Sequence, residues 1–233
     1  MALKYGLCLG LLLPSAAHAG EASWQQNVEL GFVATGGNSQ TQTLNTKAKI
    51  IHEDDIWRTQ IEGSALKSSN QRQNTGEKYT LSLQQDWKLS QQSYVFARAA
   101  FVADRFANIR SRYSENIGYG RVLSDDTLLK WTADVGAGLR QTQWVSLPRS
   151  QDTTLRVSTD AHWTVNEQVQ LSQMLVTEGG QSGFVSRSET SLQQQVSASL
   201  SSKMTFSVDH TSQVAVGIQK VNTAFSVTLV WSY

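Results

Sequence analysis

The feature that most constrains this chain is an alternation of period two, running with few breaks from Trp24 to Tyr233. Successive side chains of an extended strand point to opposite faces, whereas a helix repeats every 3.6 residues. A chain that alternates this persistently builds strands with one apolar and one polar face. Trp24, Val28, Leu30 and Phe32 oppose Gln25, Asn27 and Glu29. Leu44, Thr46, Ala48 and Ile50 oppose Asn45, Lys47 and Lys49, and Trp57, Thr59, Ile61 and Ala65 oppose Arg58, Gln60, Glu62 and Ser64. Tyr79, Leu81, Leu83 and Trp87 oppose Thr80, Ser82, Gln84, Asp86 and Lys88. The cleanest stretch sets Leu129, Trp131, Ala133, Val135, Ala137 and Leu139 against Lys130, Thr132, Asp134, Gly136, Gly138 and Arg140. Leu155, Val157, Ala161 and Trp163 then oppose Arg156, Ser158, Asp160 and His162. Tyr113, Ile117 and Tyr119 form another stripe; 168–177, 187–198 and 203–211 give weaker ones, and 221–233 is the last of twelve segments. The segment 94–104 is apolar on both sides, which leaves its facing open.

Alternation alone does not choose a solvent, because a soluble barrel hides its apolar face and a membrane barrel displays it. Four features choose the membrane. Connections alternate in length: tight at 52–55, 90–92, 124–126, 166–167 and 199–202, mostly longer at 34–41, 67–77, 107–111, 142–152, 178–186 and 212–219, as in outer-membrane barrels. An even strand number puts both ends of the chain on the short-turn side. Trp24, Trp57, Trp87, Trp131, Trp163 and Trp231, six of the seven tryptophans, fall near that rim together with Tyr94 and Tyr233, as an interfacial aromatic girdle would. Phe32, Tyr79, Phe106, Tyr113, Trp144 and Phe184 supply a less tidy girdle opposite. Finally, the polar face carries Glu29, Lys47, Arg58, Glu62, Asp134, Arg140, Arg156 and Asp160 near strand centres, where charges of both signs can pair across a wet lumen. The expected fold is all-β, a single closed antiparallel transmembrane β-barrel of twelve strands occupying 20–233.

Residues 1–19 read as a secretory signal peptide: Lys4, an apolar run Leu7–Leu13 closed by Pro14, and a small-x-small site Ala17-His18-Ala19 with cleavage after Ala19. Cys8, the single cysteine, leaves with it, so no thiol, disulfide or cysteine metal site is expected. Lys and Arg total 20 against 19 Asp and Glu; losing Lys4 balances the charge and removes any general pull toward nucleic acid. The expected location is the outer membrane of a Gram-negative envelope, in contact with its lipids. Segment 221–233 is expected to close the barrel against the segment from Trp24 and so leave no edge in lipid.

Several stretches carry a resemblance. "GFVATGGNSQTQTLNTKAKI", "YVFARAAFVADRF", "YSENIGYGRVL", "ADVGAGLRQTQW", "RSETSLQQQV" and the terminal "TLVWSY" resemble a salt-induced outer-membrane protein family carried as a domain of unknown function. The resemblance covers about 24–233 and rests on strand-and-turn patterns, so it implies fold and location rather than chemistry. It also implies an association with salt or osmotic stress, and a terminal aromatic strand, 221–233, read by the barrel-assembly machinery.

Chemistry is sparse. His52-Glu53-Asp54-Asp55 is the one dense cluster of metal-type ligands, and a solvated tight turn explains it. Gly36-Gly37-Asn38-Ser39 precedes a strand and has no P-loop lysine, so it reads as a hairpin tip. His210 beside Thr211 or Ser212, outward by parity, is the one arrangement to weigh for a lipid-modifying enzyme. No cofactor, metal or catalytic set is expected. A pore is the stronger alternative: Lys47, Lys49, Arg58, Arg98, Arg121, Arg140 and Arg156 could line it, but Glu29, Glu62, Asp86, Glu115, Asp134 and Asp160 share the inward parity. Interleaved signs cancel the field a substrate would feel. The expected object is a non-enzymatic envelope protein, structural or a narrow ion or solute channel, its oligomeric state left open.

Overall fold

A computed structural model of the chain describes residues 22–34, 41–70, 73–214 and 216–232. Twelve strands follow one another: β1 Ser23–Ala34, β2 Thr41–Glu53, β3 Trp57–Asn70, β4 Gln73–Ser90, β5 Ser93–Asp104, β6 Ile109–Asp125, β7 Leu129–Trp144, β8 Ser150–Asn166, β9 Val169–Gly180, β10 Gly183–Gln195, β11 Leu200–Thr211 and β12 Val221–Ser232. Each pairs antiparallel with its sequence neighbours, and β1 pairs with β12, so the sheet is a closed barrel. Val28 opposite Trp231 and Leu30 opposite Leu229 fix the seam.

The barrel is inside-out relative to a soluble one. Ile117 and Phe225, at 68% and 67% exposure, stand on an outer face shared with Leu30, Leu81, Val135 and Leu155. The enclosed groups are polar instead: Asp86, Asn116, Arg140, Thr142 and Thr154 are buried. Such a belt is stable only against hydrocarbon, since water would have to be ordered around every strand's apolar face.

β5 answers the question that its sequence leaves open. Tyr94, Phe96 and Arg98 turn inward, and Tyr94 is buried, which removes it from the expected aromatic girdle. The reason lies on the neighbouring strands. Gly120 is the register partner of Tyr94, and Gly118 of Phe96. A Cβ on Gly120 would meet the Tyr94 ring, and one on Gly118 or Gly136 the Phe96 ring. The rings therefore lie flat on a glycine floor. This register agrees with the Tyr113, Ile117 and Tyr119 stripe, whose parity Glu115 and Arg121 share, so both point outward and are exposed, not into the lumen as expected.

The expected alternation of loop lengths holds less well. β3 runs on to Asn70 and β4 starts at Gln73, so two residues replace the long link at 67–77; likewise only 181–182 separate β9 from β10. Small hydroxyl residues carry β3 and β4 past the apolar belt, with Ser68 bonded to Thr43 at 3.0 Å and to Thr75 at 3.2 Å. At the second site Gly183 adopts φ 93°, a conformation that a side chain disfavours, which lets the turn close in two residues. The last short turn covers 196–199, not 199–202. The signal peptide, the Gly36–Ser39 tip and Tyr233 lie outside the described residues.

Candidate functional site

The lumen concentrates the charged chemistry. Glu29, Lys47, Arg58, Glu62, Asp134, Arg140, Arg156 and Asp160 occupy the inward positions of their strands, opposite in parity to the exposed apolar set. One chain of ion pairs crosses the bore: Glu62 to Lys47 at 3.1 Å, Lys47 to Glu189 at 3.7 Å, Glu189 to Arg187 at 2.9 Å, Arg187 to Asp209 at 3.0 Å, and Asp209 to Lys78 at 2.8 Å. β1, β12 and β11 stand between β2 and β10 in the wall, so the Lys47–Glu189 pair spans the interior rather than following the sheet. Lys78 of β4 reaches Asp209 of β11 in the same way. Lys203 closes a further pair with Glu29 at 2.8 Å.

Two other groups line the opposite wall. Arg58 Nη2 lies 2.6 Å from Asp86 and its guanidinium stacks 4.9 Å above the Tyr94 ring. The Tyr94 hydroxyl donates to Asp134, which also accepts from Ser158 at 3.1 Å. Arg140 is anchored by Asp152 at 3.3 Å, Glu178 at 3.7 Å and the Gly183 carbonyl at 2.8 Å. It thus ties β7 to the tight β9–β10 turn, while Ser114 and Asn116 donate to Glu178.

Partnering therefore differs from what sequence neighbours suggest. Arg140 does not meet Asp134, nor Arg156 Asp160. Asp160 instead contacts His162 Nε2 at 2.6 Å, and His162 Nδ1 meets Ser172 at 2.9 Å near the short-turn rim. Sequence reasoning missed Lys78, Asp152, Glu178, Arg187, Glu189, Lys203 and Asp209. Most of these fall in segments with weak stripes. The usable signal was charge recurring at one parity, as at Arg187 and Glu189.

On the outer face, Trp57 and Trp87 are register partners whose rings stack at 5.9 Å. Trp24 packs on His52 at 4.4 Å, and Trp131 Nε1 donates to Thr159 at 2.7 Å. Trp163 stands near the β8–β9 turn, and Trp231 pairs with Leu200 and Val28. Asp54 accepts the N–H groups of Ile56 and Trp57, which holds its carboxyl below the usual range. Asp126 does the same for Leu129 and Leu128 in the next-but-one turn, with the same effect. No group of three metal-type ligands occurs among the described residues. His210 points outward with its ring 5.1 Å from Phe184. Thr211 falls on the inner parity, and the Ser212 hydroxyl accepts the Phe184 N–H at 2.8 Å; the suspected pairing with His210 is not assembled.

The family model described as a protein of unknown function, DUF481, matches residues 28–233. The chain belongs to this family. Among curated proteins, the chain is similar to the uncharacterized protein YdiY of Escherichia coli (strain K12), 23% identical over 117 residues, 50% of this chain and 46% of that protein. The chain thus matches about half the length of its curated relative. Among solved structures the barrel resembles the COG4313 outer membrane channel of Pseudomonas putida F1, with TM-score 0.51 and 13% identity over 94% of this chain and 97% of that one. The KdgM porin aligns over 91% of this chain and 99% of its own at TM-score 0.46 and 10% identity, too far for argument. What this DUF481 chain shares is the outer-membrane barrel fold.

Proposed function

We propose that this barrel is a non-enzymatic outer-membrane protein that works as a narrow channel for small ions or solutes. The observation that carries the reading is the lumen, predominantly hydrophilic and crossed by the Lys47–Glu189 and Lys78–Asp209 pairs. Eight-stranded barrels are filled by side chains and sixteen-stranded ones are open; twelve strands with cross-lumen bridges give a wet but restricted path. The apolar belt would contact outer-membrane lipids. Residues 1–19, removed after Ala19, would export the chain, and 221–233 would be read by the assembly machinery.

The salt association implied by the family resemblance acquires a physical route. Attraction between partly exposed charges weakens as ionic strength rises, so the cross-lumen pairs loosen and the path widens. In proteoliposomes the barrel is expected to pass small ions while retaining oligosaccharides, with ion flux rising more steeply than bulk conductivity as KCl increases. Proteoliposomes no leakier than protein-free ones would end the channel reading.

A further inference from the structure

Most inward cations have been given a carboxylate. Arg98, mid-way along β5, and Arg156, mid-way along β8, have not: among the described residues neither makes a salt bridge or a side-chain hydrogen bond, and both are only partly buried. Their neighbours explain why. Arg98 lies opposite Gln84 and Asn116, which are uncharged. Arg156 lies opposite Glu178, but that carboxylate is taken by Arg140, Ser114 and Asn116. The other acids within electrostatic reach, Asp134 and Glu62, are held by Tyr94 and Ser158 and by Lys47. Lys49 and Arg112 also lack ion pairs, yet Arg112 donates to Thr142 at 3.1 Å and stacks on Trp144, and Lys49 lies opposite Glu62 with Asp160 within electrostatic reach.

The wall between the two arginines is thinly furnished, its charged group being the Glu178 carboxylate bonded to Asn116. β6 and β7 present Gly118, Gly136 and Gly138 there, with Asn116 and the flat Phe96 ring as the side chains in between. The register sets Arg98 level with Asn116, Gly138 and Thr154 in turn, so Arg156 lies two residues along β8 from the same height. Two buried polar atoms beside them also lack partners: the Thr154 hydroxyl, two residues before Arg156 on the same face, and Asn116 Oδ1. A planar guanidinium offers paired N–H donors that match the paired oxygens of carboxylates and phosphates. Two of them without a direct ion pair, with an idle hydroxyl alongside, form a receptor for such an edge.

We propose that Arg98 and Arg156, with the Thr154 hydroxyl, form an oxyanion-binding site at mid-height in the lumen, which gives the pore a preference for anions. The preference rests on the channel reading; the binding site does not, and the test separates them. In the full barrel purified in detergent, the thermal unfolding midpoint is followed against inorganic phosphate at constant ionic strength, alongside reversal potentials in planar bilayers under a KCl gradient. A ligand that binds only the folded state raises the midpoint. Wild type and K49Q are expected to rise with phosphate, and R98Q/R156Q not to rise, while the double variant still unfolds cooperatively in phosphate-free buffer. Should the double variant fail to fold, R98Q and R156Q singly each raise the half-saturating phosphate about tenfold, the loss of one charge-assisted contact. A phosphate shift equal in wild type and variant, or absent in wild type, overturns the site. A non-conducting barrel whose phosphate shift still depends on the arginines keeps the site and ends the channel; a conducting barrel whose shift ignores them does the reverse.

Discussion

Gly120 matters for the aromatic ring above it, Gly118 and Gly136 for both the Phe96 ring and neighbouring backbone, and Gly138 for backbone. A methyl on Gly138 would overlap the Glu115 carbonyl oxygen, which no rotamer change can relieve. G138A is expected to destabilise the barrel by about 1–3 kcal/mol, the cost of overpacking, read as a lower denaturant midpoint; G63A, where the nearest atoms lie 3.8 Å away, changes little. Tyr94→Phe keeps the ring on its floor but leaves Asp134 one donor short, at a cost of roughly 1.5–3 kcal/mol for a bond to a charged acceptor. Asp54 and Asp126 act at the turns. Each carboxyl titrates lower folded than unfolded, so its stabilisation is present above the unfolded value, about 3.9, and is lost as pH falls through the folded one. Acid unfolding of D54N/D126N should therefore begin from a lower plateau and fall less steeply with pH below about 4 than wild type; an identical acid profile would contradict the turn assignment.

At the scale of the element, stability comes from cross-strand pairs repeated around the wall. The stacked Trp57–Trp87 pair is the clearest outer-face case. A double-mutant cycle of W57A and W87A is expected to return a coupling of about 0.5–1.5 kcal/mol; a coupling near zero would mean the rings meet lipid separately. Strands were legible in the sequence because a period of two survives any partner. What was not legible is informative. Both parities of 94–104 are apolar, so its facing depended on the glycines of β6 and β7, which no pattern within the segment reveals. Glu115 and Arg121 were assigned to the lumen for their charge, although they share the parity of the outward Tyr113, Ile117 and Tyr119 stripe. Hydroxyl-rich strand ends at 67–77 and 178–186 looked like loops because polarity marks both a loop and a strand that has left the membrane. Ion-pair partners were least legible. Lys47 finds Glu189 across the bore, a neighbour fixed by closure of the barrel and not by spacing along the chain.

Across the whole molecule the lumen is a mixed-charge lattice in an apolar belt: closed tightly enough by Lys47–Glu189 and Lys78–Asp209 to be narrow, yet leaving Arg98 and Arg156 without direct ion-pair partners. Breaking a bridge by removing one partner leaves a charge without its counter-charge and costs stability, so both members must be neutralised together to test the bore rather than the fold. Single-channel recording in planar bilayers is the most direct measurement. Wild type is expected to give small, discrete current steps, and a variant that neutralises the whole chain of pairs together (K47Q/E62Q/K78Q/R187Q/E189Q/D209N) larger ones, with the heat-resistant folded form preserved on gels. A folded wild type and a folded sixfold variant that are both electrically silent, or that give steps of the same size, would contradict the claim that these cross-lumen pairs set the width of a conducting path.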